Sequence, residues 1–387
     1  MRTQAGDPGA FRSFDLSRVP SPCFVIDEIA IERNLSILRT VADASGARVL
    51  AALKAFSMFS VAPLMSRYLD GVCASGLYEA RLGREEYGGE IATFCAGYKD
   101  HELEEILALS DTVIFNSPAQ KDRFLPRIKA SGRDISVGLR LNPEHAEGEV
   151  PKYDPAAPFS RLGVPLSQLK PEMLEGVDGL HMHTLCEQGF EPLDRTWSAI
   201  APRLAPMLAQ IKWFNFGGGH HITRADYDRD GLCAFLRRLK RETGLSFLLE
   251  PGEAVALDAG ILVGEVLDTG LNEVNIAIVD ISATCHMPDV IEAPYRPAML
   301  NEATAGATYR LGGPSCLAGD VIGDYTFATP PQVGQRFAFL DQAHYSMVKT
   351  NTFNGVALPS IALWNSESDN LRIVKSFGYK DFKDRLS

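Results

Sequence analysis

The stretch Arg48-Val-Leu-Ala-Ala-Leu-Lys54 is a short aliphatic run that ends abruptly in a lysine. Such a run suits a strand buried on both faces, as in a parallel sheet. Lys54 then lies at the strand's C-terminal end, where two readings compete. Lysine is rarely buried unpaired, so the side chain can simply leave the core for solvent. Alternatively it stands in an apolar pocket, where desolvation favours the neutral amine that forms an imine. The rest of the chain favours the second reading.

Outward from Lys54 a rhythm sets in. Apolar runs recur at Val49–Leu53, Val72–Ala74, Ile91–Cys95, Thr112–Phe115, Ile135–Leu141, Gly179–Thr184, Trp213–Gly217 and Ser246–Glu250. Amphipathic helical patterns separate most of them, for example Leu103–Leu109, Gln120–Ala130, Leu193–Ile211 and Tyr227–Thr243. About eight strands alternating with helices predict a closed (β/α)8 TIM-type barrel, with a doubly wound open sheet as the alternative. Lys54, Arg140, His183, Gly217 and Glu250 each fall at or just past the end of a different run, where barrels of this class carry their chemistry.

From about Asp258 the texture changes to strand-like runs linked by Gly and Pro turns, with no long helix between them. This predicts an all-β C-terminal domain. The expected division is an N-terminal arm and strand over 1–27, a barrel over 28–265 and a β domain over 266–387. Residues 1–20 read as a loose arm, and the short extended piece after them is a candidate to join the β domain. The face made by Ile29, Ile31, Leu35, Ile37, Leu38 and Val41 predicts the first helix.

Bulk properties narrow the function. A net charge of −11 argues against nucleic acid and anionic membranes as partners, and it suits a cationic substrate. Seven cysteines without a C-x-x-C pair fit a reducing, cytoplasmic setting. No apolar run approaches the ~18 residues of a membrane span, and no signal-like segment follows Met1.

The polar features then combine as chemistry. His183, in Leu180-His181-Met182-His183, can pack on a flat cofactor ring. The two histidines can also be a core pair or metal ligands, although no third ligand follows at convincing spacing. Gly217-Gly218-Gly219 is a turn whose backbone N–H groups can cradle a phosphate, or it is a plain tight turn. Glu250-Pro251-Gly252 offers a deep carboxylate that suits a pyridinium N–H, or alternatively a salt bridge to Arg140. Cys316, framed by Gly312-Gly313-Pro314-Ser315, is a candidate acid for a carbanion, and Tyr345 a candidate phosphate donor.

This ordered set, continued by Phe353-Asn354-Gly355, resembles the fold type III (alanine racemase-like) pyridoxal-phosphate decarboxylases over nearly the whole chain. That family includes ornithine and diaminopimelate decarboxylases. Leu53-Lys-Ala-Phe-Ser57, Leu180-His-Met-His-Thr-Leu-Cys-Glu187, Phe216-Gly-Gly-Gly-His-His-Ile-Thr223 and Gly312-Gly-Pro-Ser-Cys-Leu-Ala-Gly-Asp320 are most similar to its carboxynorspermidine/carboxyspermidine decarboxylase branch. The resemblance implies pyridoxal 5'-phosphate as cofactor and decarboxylation in polyamine biosynthesis. It implies that Lys54 forms the imine, His183 stacks on the ring and Glu250 holds the ring nitrogen. Gly217, Gly218, Gly219 and Tyr345 are then expected to bind the phosphate. Cys316 is expected to donate a proton across a homodimer with shared sites. Arg140 is implied to line the cofactor and Arg161 the entrance, with Asp280 and Asp320 near the substrate amines. Diaminopimelate decarboxylation and a non-catalytic regulatory homologue are the rival readings.

Two departures from the family matter. Glu253 stands where relatives carry a phosphate-holding arginine, and Leu317 follows the cysteine where ornithine and diaminopimelate enzymes carry an acid. Arg296-Pro297, which resembles a grip on a second carboxylate, is the one feature on the side of diaminopimelate.

Overall fold

The computed structural model describes residues 2–4, 6–148 and 151–387. It forms two compact units, Glu32–Val255 and a second made of Met1–Ile31 with Ala256–Ser387.

The first unit is the barrel. Its strands are β1 (Arg48–Ala52), β2 (Gly71–Ala74), β3 (Glu90–Phe94), β4 (Thr112–Phe115), β5 (Ser136–Asn142), β6 (Gly179–His181), β7 (Trp213–Asn215) and β8 (Ser246–Leu249). All neighbours pair in parallel, and β8 returns to β1 through Leu248 opposite Arg48, so the sheet closes. The open-sheet alternative is thereby excluded. The aliphatic runs form strands because both of their faces are covered. In β1, for example, Val49, Leu50, Ala51 and Ala52 are all buried.

A side-chain layer of Leu50, Ala92, Ile114, Trp213 and Leu248 fills the barrel interior. Trp213 is the largest member, and its indole N–H donates to Ser136 Oγ at 2.8 Å. Two glycines make room for it. A Cβ on Gly179 would overlap the indole ring, and one on Gly138 would sit 2.7 Å from the ring edge. The N-terminal rim repeats one device. Asp70, Asp111 and Asp178 each accept the backbone N–H of a neighbouring strand residue, respectively Val49, Ile91 and Val137, at 2.8–2.9 Å. With one end packed and tied, the opposite end is left for chemistry.

The second unit is an eight-stranded sheet. Its order is Val321–Phe327, Ala307–Gly312, Val274–Val279, Gly260–Asn272, Cys23–Asp27, Ser360–Asn365 and Asn370–Lys375, with Arg336–Leu340 also pairing to Gly260–Asn272. Cys23–Asp27 is antiparallel to Gly260–Val263 and parallel to Ser360–Trp364. The division after Val255 is earlier than the 265 expected, because Gly260–Asn272 makes all of its strand pairings inside the β unit.

Over residues 11–19 the expected loose arm is packed. Phe11, Phe14 and Val19 are buried in one cluster with Val25, Ile261 and Trp364. The Phe11 and Phe14 rings lie 5.4 and 4.8 Å from that of Trp364. Polar and glycine residues dominate the segment by number, and that hides its two aromatic anchors.

Gly179→Ala is expected to destabilise the barrel by about 1–3 kcal/mol or more, since the new methyl must displace a packed indole. A fall in the thermal midpoint checks this, with Gly97→Ala as a comparison at an uncrowded position whose backbone is not left-handed.

Candidate active site

The strand ends converge at the C-terminal mouth of the barrel. Lys54 follows β1, Phe94 ends β3, Arg140 lies on β5, His181 ends β6 with His183 just beyond, Asn215 ends β7 and Glu250 follows β8.

Lys54 is solvent-accessible, yet it stands among enough protein for desolvation to lower its pKa. Cys73 and Glu250 pull the other way, while Arg140 adds to the lowering. The net direction favours a neutral amine. Lys54 Nζ is 3.4 Å from His183 Nε2. On its other side the same imidazole accepts the Gly218 N–H at Nδ1, 2.8 Å away. That bond places the His183 proton on Nε2, facing the amine. Burial first, then the neighbouring Lys54 and Arg140, hold the His183 pKa well below the usual histidine range, so the ring is neutral.

Glu250 is nearly buried and fully engaged. Oε2 meets His181 Nε2 at 3.1 Å, and Oε1 accepts from Asn215 Nδ2 at 2.7 Å. Burial alone would raise its pKa; His181, Asn215 and Lys54 outweigh burial, and the net shift is downward. Burial also lowers the pKa of His181, so a neutral imidazole donates to an ionised carboxylate. The His181 Nδ1 atom is buried without a hydrogen-bond partner, and the ring stacks on Phe94 at 5.6 Å.

The alternative pairing of Glu250 with Arg140 is not what forms. Arg140 donates to the His183 carbonyl at 3.2 Å and lies over the Phe94 ring at 4.6 Å. Its pKa falls to about 10 through burial, which leaves it charged at neutral pH.

The glycine turn also differs from expectation. The Gly217 N–H is spent on Asn215 Oδ1 and the Gly218 N–H on His183 Nδ1, each at 2.8 Å. Of the three glycines among the expected phosphate donors, Gly219 keeps its N–H outside such a bond. Glycine is required here for close approach. A Cβ on Gly218 would overlap the Glu250 carbonyl, and Gly219, at φ +82°, presses on the Leu185 carbonyl. Glu253 is buried with its Oε2 3.3 Å from His221 Nε2.

The remaining candidates lie on other segments. Arg161 is exposed, and its carbonyl accepts from Asn116 Nδ2. Cys316, Tyr345, Asp280 and Asp320 belong to the β unit. The Cys316 thiol is exposed, while its N–H donates to Asn354 Oδ1 at 2.7 Å. Tyr345 is half-buried at φ +42°. Asp280 accepts the Glu265 N–H at 2.7 Å, and Asp320 is 3% exposed with its carboxylate bonded to Ser282, Ser315 and Thr284. Both acids make these bonds within the β unit.

Asn215, Phe94 and the His181–Glu250 bond did not emerge from the sequence. A polar residue inside Trp213-Phe214-Asn215-Phe216 was the available signal, since a buried amide needs a partner.

Residues 23–343 match the family described as pyridoxal-dependent decarboxylase, C-terminal sheet domain. The chain belongs to that family. This pyridoxal-dependent decarboxylase is 39% identical to carboxyaminopropylagmatine decarboxylase of Synechocystis sp., over 96% of both chains. It is 36% identical to carboxynorspermidine/carboxyspermidine decarboxylase of Campylobacter jejuni, over 95% of this chain and 99% of that one. The crystal structure of the Campylobacter jejuni carboxynorspermidine decarboxylase, complexed with norspermidine, superposes with a TM-score of 0.86 over 95% of this chain and all of that one. Diaminopimelate decarboxylase from Helicobacter pylori shares the fold, with a TM-score of 0.82 at 16% identity.

The mouth suits the family's cofactor, pyridoxal 5'-phosphate. It offers an amine biased to neutrality and an ionised buried carboxylate, and its glycine turn is packed too tightly for side chains.

Because the Glu250 pKa is depressed, its stabilising contribution is complete above the ordinary value of 4.5 and is lost as pH falls through the folded-state value. His181, held neutral, costs stability as pH falls below its ordinary 6.5. Denaturation of the cofactor-free protein from pH 7 to 3 is therefore expected to show an extra acid loss below 4.5 that Glu250→Gln lacks. Parallel acid profiles for the two proteins would contradict the assignment.

Proposed function

We propose that this decarboxylase removes the α-carboxylate of carboxynorspermidine, carboxyspermidine or both, giving norspermidine or spermidine and CO2. The observation that carries this reading is the near full-length match, at 36% identity and TM-score 0.86, to a decarboxylase crystallised with norspermidine. The acidic balance of −11 suits a polycationic substrate.

When bound, pyridoxal phosphate supplies an electron sink for the pair left on the α-carbon as CO2 departs. Lys54 Nζ is the atom that would hold it covalently, and the downward shift of its pKa works toward the nucleophilic amine. His183 is fixed at both ring nitrogens, which orients the imidazole plane. Glu250, ionised and braced by His181 and Asn215, would hold a proton at the cofactor's ring nitrogen. Gly219 and Tyr345 are the phosphate donors in this assignment, with Arg140 lining the pocket and Arg161 at its entrance. Cys316 Sγ returns a proton to the α-carbon.

The thiol lies among exposed apolar groups, with Leu317 and Phe353 each 45% exposed. A second copy of this chain covers that face in the assembly we propose, a homodimer with shared sites. Seven free cysteines support a cytoplasmic setting. Among the described residues no helix is long and apolar enough to cross a membrane.

The 39% match to carboxyaminopropylagmatine decarboxylase favours a second substrate, one whose far end is a guanidinium instead of an amine. CO2 release from carboxynorspermidine, carboxyspermidine, carboxyaminopropylagmatine, ornithine, lysine and diaminopimelate separates the readings. The highest kcat/KM is expected on the first two; a preference for diaminopimelate, or no release from any, would overturn the proposal. Cys316→Ala is expected to lose about 10²–10⁴ in turnover while keeping the cofactor's absorbance band.

A further inference from the structure

Asp320 is a buried carboxylate with both oxygens hydrogen-bonded. Oδ2 accepts from Ser282 Oγ at 2.8 Å and Ser315 Oγ at 2.6 Å, and Oδ1 accepts the Thr284 N–H at 3.2 Å. Its backbone carbonyl takes the Gly313 N–H at 2.8 Å. A charge buried to this degree is tolerated only when hydrogen-bonded, and three donors meet that demand. A Cβ on Gly313 would overlap the carboxylate, so the loop's second glycine is a condition of the arrangement.

The same groups tie three segments together. Ser282 Oγ also accepts the Cys285 N–H at 3.0 Å and so caps the short helix Ala283–His286. Asn351 joins that helix from another direction, with Nδ2 on the Thr284 carbonyl and its N–H on the Cys285 carbonyl, both at 2.9 Å. Asn354 then accepts the Cys316 N–H. Cys316 is thus held on one side by Asn354 and on the other through Ser315, while its thiol stays exposed.

We propose that Asp320 is a positioning residue for Cys316, setting through Ser315 the point in space at which the thiol is delivered. This rests on the assignment of Cys316 as proton donor. An acid that must meet one carbon is sensitive to placement, and an error of about 1 Å costs on the order of 10² in rate.

The experiment compares Asp320→Asn, Ser315→Ala, Cys316→Ala and the double variant Asp320→Asn/Cys316→Ala in the full-length enzyme loaded with cofactor. Asp320→Asn is expected to lower kcat by roughly 10- to 100-fold, with KM within about twofold and the absorbance band unchanged. Added to Cys316→Ala it is expected to cost nothing further, because both act through one thiol. Independently of turnover, the rate of iodoacetamide alkylation at Cys316, followed on its peptide by mass spectrometry, is expected to shift several-fold in Asp320→Asn and Ser315→Ala. Ser315→Ala removes one hydroxyl and carries the same test where Asp320→Asn fails to fold. A raised KM with kcat intact would make Asp320 a substrate contact and overturn the proposal, as would a further loss in the double variant or an unchanged alkylation rate. Full turnover by Cys316→Ala would instead remove the proton-donor assignment, and the alkylation rates would still decide whether Asp320 sets the loop.

Discussion

A carboxylate and an amine share the mouth of this barrel, and the pKa of each is shifted against what burial of the first or exposure of the second would give by itself. Glu250 stays ionised in a buried position because His181 and Asn215 both donate to it. Lys54 is biased to neutrality although it is open to solvent, because protein surrounds it and Arg140 stands nearby. The barrel makes this possible. Trp213 and its glycine neighbours fill the interior, so the polar groups gather at one end.

His183 links these groups. Its Nδ1 takes the Gly218 N–H and its Nε2 faces Lys54, so one neutral ring connects the glycine turn to the amine. The turn itself is packed against the Glu250 carbonyl and the end of β6, which leaves little freedom for any of them. Two of the turn's three N–H groups are already spent on Asn215 and His183. Glu253 has a local partner in His221, at 3.3 Å.

The barrel was legible because its signal is repetition: each of the eight aliphatic runs became a strand, and Lys54, Arg140, His183 and Glu250 fell at strand ends where one sequence pattern could place them. The partners were not legible, since a hydrogen bond between β6 and β8 joins residues 69 positions apart, and neither His181 nor Glu250 names the other in sequence. Asp320 shows the limit differently. An acid four residues after a cysteine reads equally as a ligand for an amine or as a brace, and its bonds to two serine hydroxyls and the Thr284 N–H are invisible in sequence. The burial of Phe11 and Phe14 was hidden because two aromatics in a polar segment carry no periodicity.

The central claim is that Lys54 is the amine joined to pyridoxal phosphate. Borohydride reduction of the cofactor-loaded protein, followed by proteolysis and mass mapping, tests it most directly. The account predicts a single pyridoxyl-phosphate mass increment on the peptide containing Lys54. An increment on another lysine, or none on the native protein, would contradict it.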